Sequence, residues 1–420
     1  MLVEFSVGNY RSFKERQTFS MIAGKKPSHE FKTGFKSPER LLTSAVLLGA
    51  NASGKSNLIK AMDFFKGFVV KSAVQKTRGD QIKTVPFAFS NNTREQPSEF
   101  EAIFVYKKQM YQYGFRVDQK RVWEEWLYVT PQGGEKETAR TLFERTFDEE
   151  KKSYQWRFPS LAGQKKTWQD ATRDNALFLS TAVQLNSEQL KAPFDWIEEY
   201  FHILDEPNMF PKRFTARLIV EEQRHKDILS FISNIDRNII GIEVSEKKWE
   251  ESNLPDDMPD LIKQEIIKAM SEEKIFDVSL VHKTEDGHSY KIDLSEESDG
   301  TQIMFGLAAP LLDILEEGWI LAIDELNKSL HPLLLKAIIG LFHNLNVNKN
   351  NAQLIFTGHE TCILEDMERD QVWLTEKGQY GDTQLIPLLS YKPRKDEDKR
   401  KAYLQGRYGG LPDIERLVNG

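Results

Sequence analysis

The sequence predicts a mixed α/β protein, with a parallel-sheet core around a glycine-rich loop, an antiparallel β subdomain towards its N-terminus and a helical insertion. Three observations lead there. Gly49–Ser56 (GANASGKS) stands between an apolar run, Ala45–Leu48, and a segment whose Leu58, Ile59, Met62 and Phe65 share one helical face. Residues 83–158 break into short, aromatic-rich alternating segments, the pattern of an antiparallel meander. Trp319–Ile323 and Gln353–Thr357 are short unbroken apolar runs, typical of strands buried on both faces of a parallel sheet.

Taken in chain order, residues 2–7 (LVEFSV) alternate and read as an edge strand, on which Arg11–Phe19 can pair back. Residues 25–39, rich in Lys, Pro and Gly, read as a loop. In the meander, Phe100–Tyr106 and Tyr111–Val117 flank the polar link Lys107–Met110. Residues 175–183 (NALFLSTAV) return to a strand-like pattern. The character then changes: 187–203 and 213–234 are amphipathic at helical spacing, and the acidic, proline-containing stretch 250–260 reads as a loop. Residues 276–294 are strand-like, and 303–317 is helical with Pro310 as a kink point. The charged run 392–401 is a solvated segment. This reading divides the chain into an N-terminal lobe, 1–184, a helical insertion, 185–275, and a C-terminal lobe, 276–420. It contains no internal repeat and no run long enough for an extended coiled coil.

The 420 residues carry 64 acidic and 57 basic side chains, a net charge of −7, which argues against a protein that is basic all over but allows a local basic groove. The one cysteine, Cys362, makes neither an internal disulfide nor a cysteine-rich zinc site. MLVEFSVGNYRSF lacks the apolar core of a signal peptide, and no run of about 18 apolar residues suggests a membrane span. A reducing, cytoplasmic location is expected, with no membrane partner.

Gly49–Ser56 fits G-x-x-x-x-G-K-[ST], in which backbone N–H groups and a helix N-terminus line phosphate oxygens. Gly49, Asn51, Ser53, Gly54, Lys55, Ser56 and Asn57 are therefore candidate nucleotide-binding residues. Lys55 would meet the β- and γ-phosphates of ATP, and Ser56 would ligate Mg²⁺. Asp324-Glu325 follows an apolar strand, where carboxylates reach the ligand-binding edge of a parallel sheet. Asp324 is expected to hold Mg²⁺ and Glu325 to polarise the attacking water. Leu294–Gln302 (LSEESDGTQ) puts the small residues Ser298 and Gly300 at a helix start, an anion site of exposed N–H groups. His359 comes just after the strand Gln353–Thr357, and Gln184, with Gln189 close by, precedes the helical stretch. Arg11 either approaches the nucleotide or serves a strand edge.

The order of these motifs (phosphate loop, glutamine, Ser-Asp-Gly, Asp-Glu, His) resembles that of ABC-type P-loop ATPases rather than AAA+ proteins or small GTPases. The resemblance assigns Gln184 to the Q-loop, Ser298 and Gly300 to the signature that closes over the opposing protomer's ATP, and His359 to the γ-phosphate switch. NYRSF (Asn9–Phe13), ESDGTQ (Glu297–Gln302), IDELNKSLHP (Ile323–Pro332), TGHE (Thr357–Glu360), DQVWLTEK (Asp370–Lys377) and YLQGRYGGLP (Tyr403–Pro412) resemble the soluble ATPases related to RecF, SMC and OLD. The narrower likeness is to the AAA_15/AAA_21 ATPases of bacterial anti-phage defence, of the RloA/AbiLi type, with Septu and PARIS as cousins.

That resemblance implies an ABC-type ATPase head, an ATP-sandwiched dimer or higher oligomer, and a separately encoded effector, a nuclease or toxin. DNA or RNA is an allowed partner, and DNA maintenance of the RecF/SMC kind is the alternative function. Two departures stand out. Asn327 occupies the position usually held by the D-loop aspartate, and TGHE replaces the more usual TTH. The residues after His359 read as the closing strand and tail of the ATPase, too few for the nuclease domain of OLD proteins.

Overall fold

The computed structural model describes residues 1–25, 28–75, 77–133, 137–205, 212–221, 224–248, 274–328, 330–391 and 398–409. These fall into two units. The first comprises Met1–Glu206, Ile314–Lys328 and Leu335–Gly420, and the second Pro207–Asp313 with Ser329–Leu334.

The first unit contains two large sheets. Strands β1 (Leu2–Gly8) and β2 (Gln17–Ser20) belong to the antiparallel one. A small hairpin follows, β3 (Glu30–Lys32) with β4 (Arg40–Leu42), and then β5 (Ser44–Gly49) of the parallel sheet. The meander is β6 (Ser98–Tyr106), β7 (Gln109–Val117), β8 (Val122–Pro131), β9 (Arg140–Asp148) and β10 (Ser153–Arg157). It extends the antiparallel sheet in the order β10-β9-β8-β7-β6-β1-β2.

The six-stranded sheet runs β11 (Phe201–Leu204), β15 (Ile320–Ile323), β16 (Gln353–Thr357), β5, β17 (Val372–Lys377), β18 (Thr383–Pro387). All its pairings are parallel except the closing hairpin β17–β18. Parallel neighbours need crossovers. Helix α1 (Lys55–Lys71) leaves β5, and the helix Pro332–His343 connects β15 to β16. Leu58, Ile59, Met62, Phe65 and Phe68 of α1 are buried in one core with side chains of both sheets, among them Leu47, Ile355, Phe5 and Phe115. Phe65 stacks on Phe115 with ring centroids 5.5 Å apart and meets Phe5 edge-on at 5.6 Å.

The second unit holds the antiparallel sheet β12 (Ile239–Lys248), β13 (Lys274–Lys283), β14 (Ser289–Asp293) and the helices Lys212–Glu221 and His225–Ile235. Ile219, Ile228 and Ile232 of these helices share a core with Leu280 and with Phe305 and Ala308 of the helix Asp299–Glu317, which carries Pro310 in its interior. The expected loop 250–260 lies outside the described residues, as does most of the charged run 392–401.

Four local expectations are corrected. β1 is an interior strand, paired with β2 on one side and β6 on the other, because alternation reports which faces are buried and not how many neighbours a strand has. The expected loop 25–39 includes β3. The helical reading of 187–203 stops early: a helix spans Glu188–Asp195 and a π-turn Trp196–Tyr200, but Phe201–Leu204 joins the parallel sheet. The strand-like run 175–183 is largely helix, Phe178–Gln184, with Phe178, Leu179 and Ala182 buried. A short apolar run has no period to separate buried helix from buried strand.

A tertiary contact settles that last case. The Glu125 carboxylate accepts the N–H groups of Phe178 (2.7 Å) and Leu179 (3.0 Å) and the Tyr113 hydroxyl (3.0 Å). Its Oε2 lies 2.9 Å from Arg145 Nε, both side chains at 0% exposure, and Arg145 also donates to Ala176 O at 2.6 Å. Removing one partner strands the other charge in the core. Glu125→Ala and Arg145→Ala should each cost about 3–5 kcal/mol, while a paired Glu125→Leu/Arg145→Met variant should cost much less than their sum, as measured by urea unfolding.

Candidate functional site

β5, β15 and β16 run parallel and in register, so the segments that leave their C-terminal ends meet along one sheet edge. There lie the glycine-rich loop after β5, Asp324-Glu325 after β15, and His359 after β16. Asn51, Ser53, Gly54, Lys55, Ser56, Asn57, Glu325 and His359 line a single cleft of about 830 Å³.

The loop is shaped by its own backbone. Gly54 has φ +109°, a region that a side chain strains, and a β-carbon there would collide with Thr383. Lys55 Nζ donates to Gly49 O (2.8 Å) and Ala50 O (3.0 Å), closing the loop into a ring. Ser53 is hydrogen-bonded to Thr375 of β17, and Thr383 Oγ1 donates to Ser53 O at 2.8 Å. Burial lowers the Lys55 ammonium to about 8 despite the nearby Asp324 and Glu325 carboxylates.

The acidic pair is held by Thr357. Its hydroxyl donates to the buried Asp324 carboxylate and accepts the Glu325 N–H at 2.8 Å. Glu325 sits at φ +49°, which turns its carboxylate towards the cleft, with Oε1 3.8 Å from His359 Nε2. Burial, with the Lys55 charge, pushes the His359 imidazolium below its usual range, against the pull of Glu325.

The two departures from the family pattern are neighbours. Gly358 leaves room for Asn327: a β-carbon at 358 would stand 3.0 Å from Asn327 Oδ1. That oxygen is buried and meets no donor among the described residues. An aspartate at 327 would add a third carboxylate close in sequence to Asp324 and Glu325, with a buried oxygen that meets no donor among the described residues.

Gln184 does not join this cleft. It ends a helix whose Ser180 bonds Val69 O and lies 3.2 Å from Ser72 Oγ, at the far end of α1, and that 17-residue helix is about 25 Å long. The strand expected to deliver it is instead the helix Phe178–Gln184, and the cleft lining does not include it. Ser298 and Gly300 belong to the second unit, where Ser298 Oγ accepts the Thr301 N–H at 3.2 Å and both residues line a hollow with Asp236, Met304 and His331.

The motifs that carried no chemistry in the sequence acquire it here. Asn9 and Arg11 adopt φ +46° and +51° in a tight turn closed by Tyr10 N–H to Phe13 O at 2.9 Å. Ser12 Oγ accepts from Asn57 Nδ2 and donates to Thr383 Oγ1, each at 2.7 Å, tying this turn to the start of α1 and to β18. Arg11, Ser12, Ala52, Val85, Pro86, Ala88, Phe89, Lys377 and Gly381 complete the lining; Arg11 and Ser12 belong to NYRSF, Lys377 ends DQVWLTEK, and Val85–Phe89 and Gly381 carry no signal in the sequence. In YLQGRYGGLP, Tyr408 is buried against Tyr391 with ring centroids 5.7 Å apart, and Gly410–Pro412 lie outside the described residues.

A buried ammonium that loses its proton near pH 8 gives up its attraction for phosphate. ATP affinity measured by calorimetry should be level below pH 8 and fall above it by up to about tenfold per pH unit, and Lys55→Ala should abolish this step.

No curated protein matches the chain. Among solved structures it is similar to the recombination mediator protein RecF with ATP, at 14% identity and TM-score 0.35, covering 92% of this chain and 99% of that one. It is also similar to RecF-ATPrS, at 13% identity and TM-score 0.34, covering 92% and 98%. Overlaps this loose add nothing to the geometry. The family model described as "AAA domain, putative AbiEii toxin, Type IV TA system" matches residues 44–365, well over half of the sequence, and the chain belongs to that family of P-loop ATPases.

Proposed function

We propose that the chain binds and hydrolyses ATP with Mg²⁺, and that ATP joins two copies of it. The observation that carries this reading is the convergence of the Lys55 loop, Asp324-Glu325 and His359 on one sheet edge. The Ser56 hydroxyl and the Asp324 carboxylate are hard oxygen donors of the kind Mg²⁺ takes. Bound there, Mg²⁺ supplies charge neutralisation at the phosphate oxygens.

The chain's own residues do the rest. Backbone N–H groups of Gly49–Ser56 and the Lys55 ammonium hold the phosphates. Glu325 orients the attacking water and draws its proton, and His359, kept neutral, offers one imidazole N–H to the γ-phosphate. Ser298 and Gly300 of a second copy cover that phosphate from the other side, which makes ATP a link between subunits. Asn327 keeps a hydrogen-bonding group without the aspartate's charge, and slow turnover suits it.

The sequence likeness to anti-phage ATPases, together with a family description that names a toxin, supports a role as sensor and scaffold in bacterial defence. The scaffold would govern a separately encoded nuclease or toxin. Expression with its neighbouring reading frames, followed by native mass spectrometry, should recover an effector whose retention depends on ATP. Strongly salt-dependent duplex binding without a protein partner would favour DNA maintenance instead.

Glu325→Gln should lower turnover by about 10²- to 10⁴-fold while ATP-dependent association persists; normal turnover in a phosphate-release assay would remove Glu325 from this role. Ser298→Arg should leave ATP binding intact and abolish ATP-dependent association in analytical ultracentrifugation.

A further inference from the structure

The cleft continues past the phosphate loop. Its outer wall includes Arg11, Val85, Pro86, Ala88, Phe89 and Gly381. Phe89 is 71% exposed, whereas Phe87 is fully buried. A single exposed phenylalanine is ordinary on a protein surface. This one differs in how firmly its backbone is held.

Arg11 N–H donates to Val85 O at 2.7 Å, and Asn9 Oδ1 accepts the Phe87 N–H at 3.0 Å. Thr93 Oγ1 donates to Phe87 O at 2.8 Å, and Arg94 Nε to Ala88 O at 2.6 Å. Asn9 Nδ2 bonds Thr93 O at 2.7 Å and Gln96 O at 2.8 Å, which closes the segment from its other side. The Phe89 ring is backed by Phe87, edge-on at 5.7 Å, and by the turn between β17 and β18, where a β-carbon on Gly381 would stand 3.5 Å from it. A rigid backbone holding an apolar ring open to a polar cleft is a binding surface prepared in advance.

Resting on the reading of the cleft as the ATP site, we infer that Phe89 is the stacking platform for the nucleotide base and that this end of the cleft accepts purines generally. With its phosphates fixed at Gly49–Ser56, the nucleotide has its base further along the wall. Among the described lining residues Phe89 offers the one phenyl, phenol or indole ring. Arg11 and Lys377, which with Lys55 are the Lys and Arg side chains of this lining, only donate hydrogen bonds. Neither can accept from the 6-amino group of adenine, and both suit the N7 and O6 acceptors of guanine. Stacking itself is tolerant of the base.

The test is calorimetric titration of the full chain with ATP, GTP and inorganic tripolyphosphate. Wild type should bind ATP and GTP within about tenfold of each other. Phe89→Ala should weaken both by about ten- to a hundredfold and leave tripolyphosphate unchanged, and Phe89→Trp should restore them. Unchanged ATP affinity in Phe89→Ala overturns the platform, as does an equal loss of tripolyphosphate binding, which would mean the phosphate loop was disturbed. A preference for ATP over GTP beyond about a hundredfold overturns the purine tolerance. Lys55→Ala separates the two readings: if it binds ATP at full strength, the phosphate-loop assignment fails, whatever Phe89 does.

Discussion

The site depends on helix α1 being shared by two sheets. Its first turn must hold the N–H groups of Gly54, Lys55 and Ser56 in one orientation, and a single helix end leaving one strand would have freedom to swing. Here the buried face of α1 is held by Leu47 and Ile355 of the parallel sheet together with Phe5 and Phe115 of the antiparallel sheet. Interiors are close-packed and transmit displacement, so a helix gripped this way carries its N-terminus as a fixed fixture. The antiparallel sheet therefore serves the glycine-rich loop through its packing against α1.

A second layer of constraint comes from the turn Asn9–Phe13. Its Asn9 and Arg11 sit at positive φ, and the turn bonds the start of α1 through Ser12, bonds β18 through Thr383, and clamps the Val85–Phe87 backbone through Asn9 and Arg11. Three chain segments distant in sequence thus share one turn. Left-handed conformations at non-glycine residues carry a cost, and here each strained residue is repaid by several hydrogen bonds. The same economy governs Glu325, whose positive φ is held by the Thr357 hydroxyl that also positions Asp324.

Much of this was legible in the sequence, and for a physical reason. The phosphate loop, the acidic pair and the histidine are local signals, a few residues whose spacing and flanking apolar runs report a strand end. The meander was equally legible from its alternation. Asn327 and Gly358 could be seen as departures, but that they are neighbours is visible only in the structure.

By itself the sequence determined the glycine-rich loop, the strands that carry it and the family to which the chain belongs, since these follow from residue type at fixed spacing. Tertiary structure decided what depends on neighbours distant along the chain. It made 178–184 a helix, because a buried carboxylate on β8 caps that segment, and it carried Gln184 to the far end of α1. It also gave NYRSF its purpose and turned Phe89 into the cleft. Short apolar runs and tight turns have too few residues to carry a period of their own, so their structure is set by what packs against them.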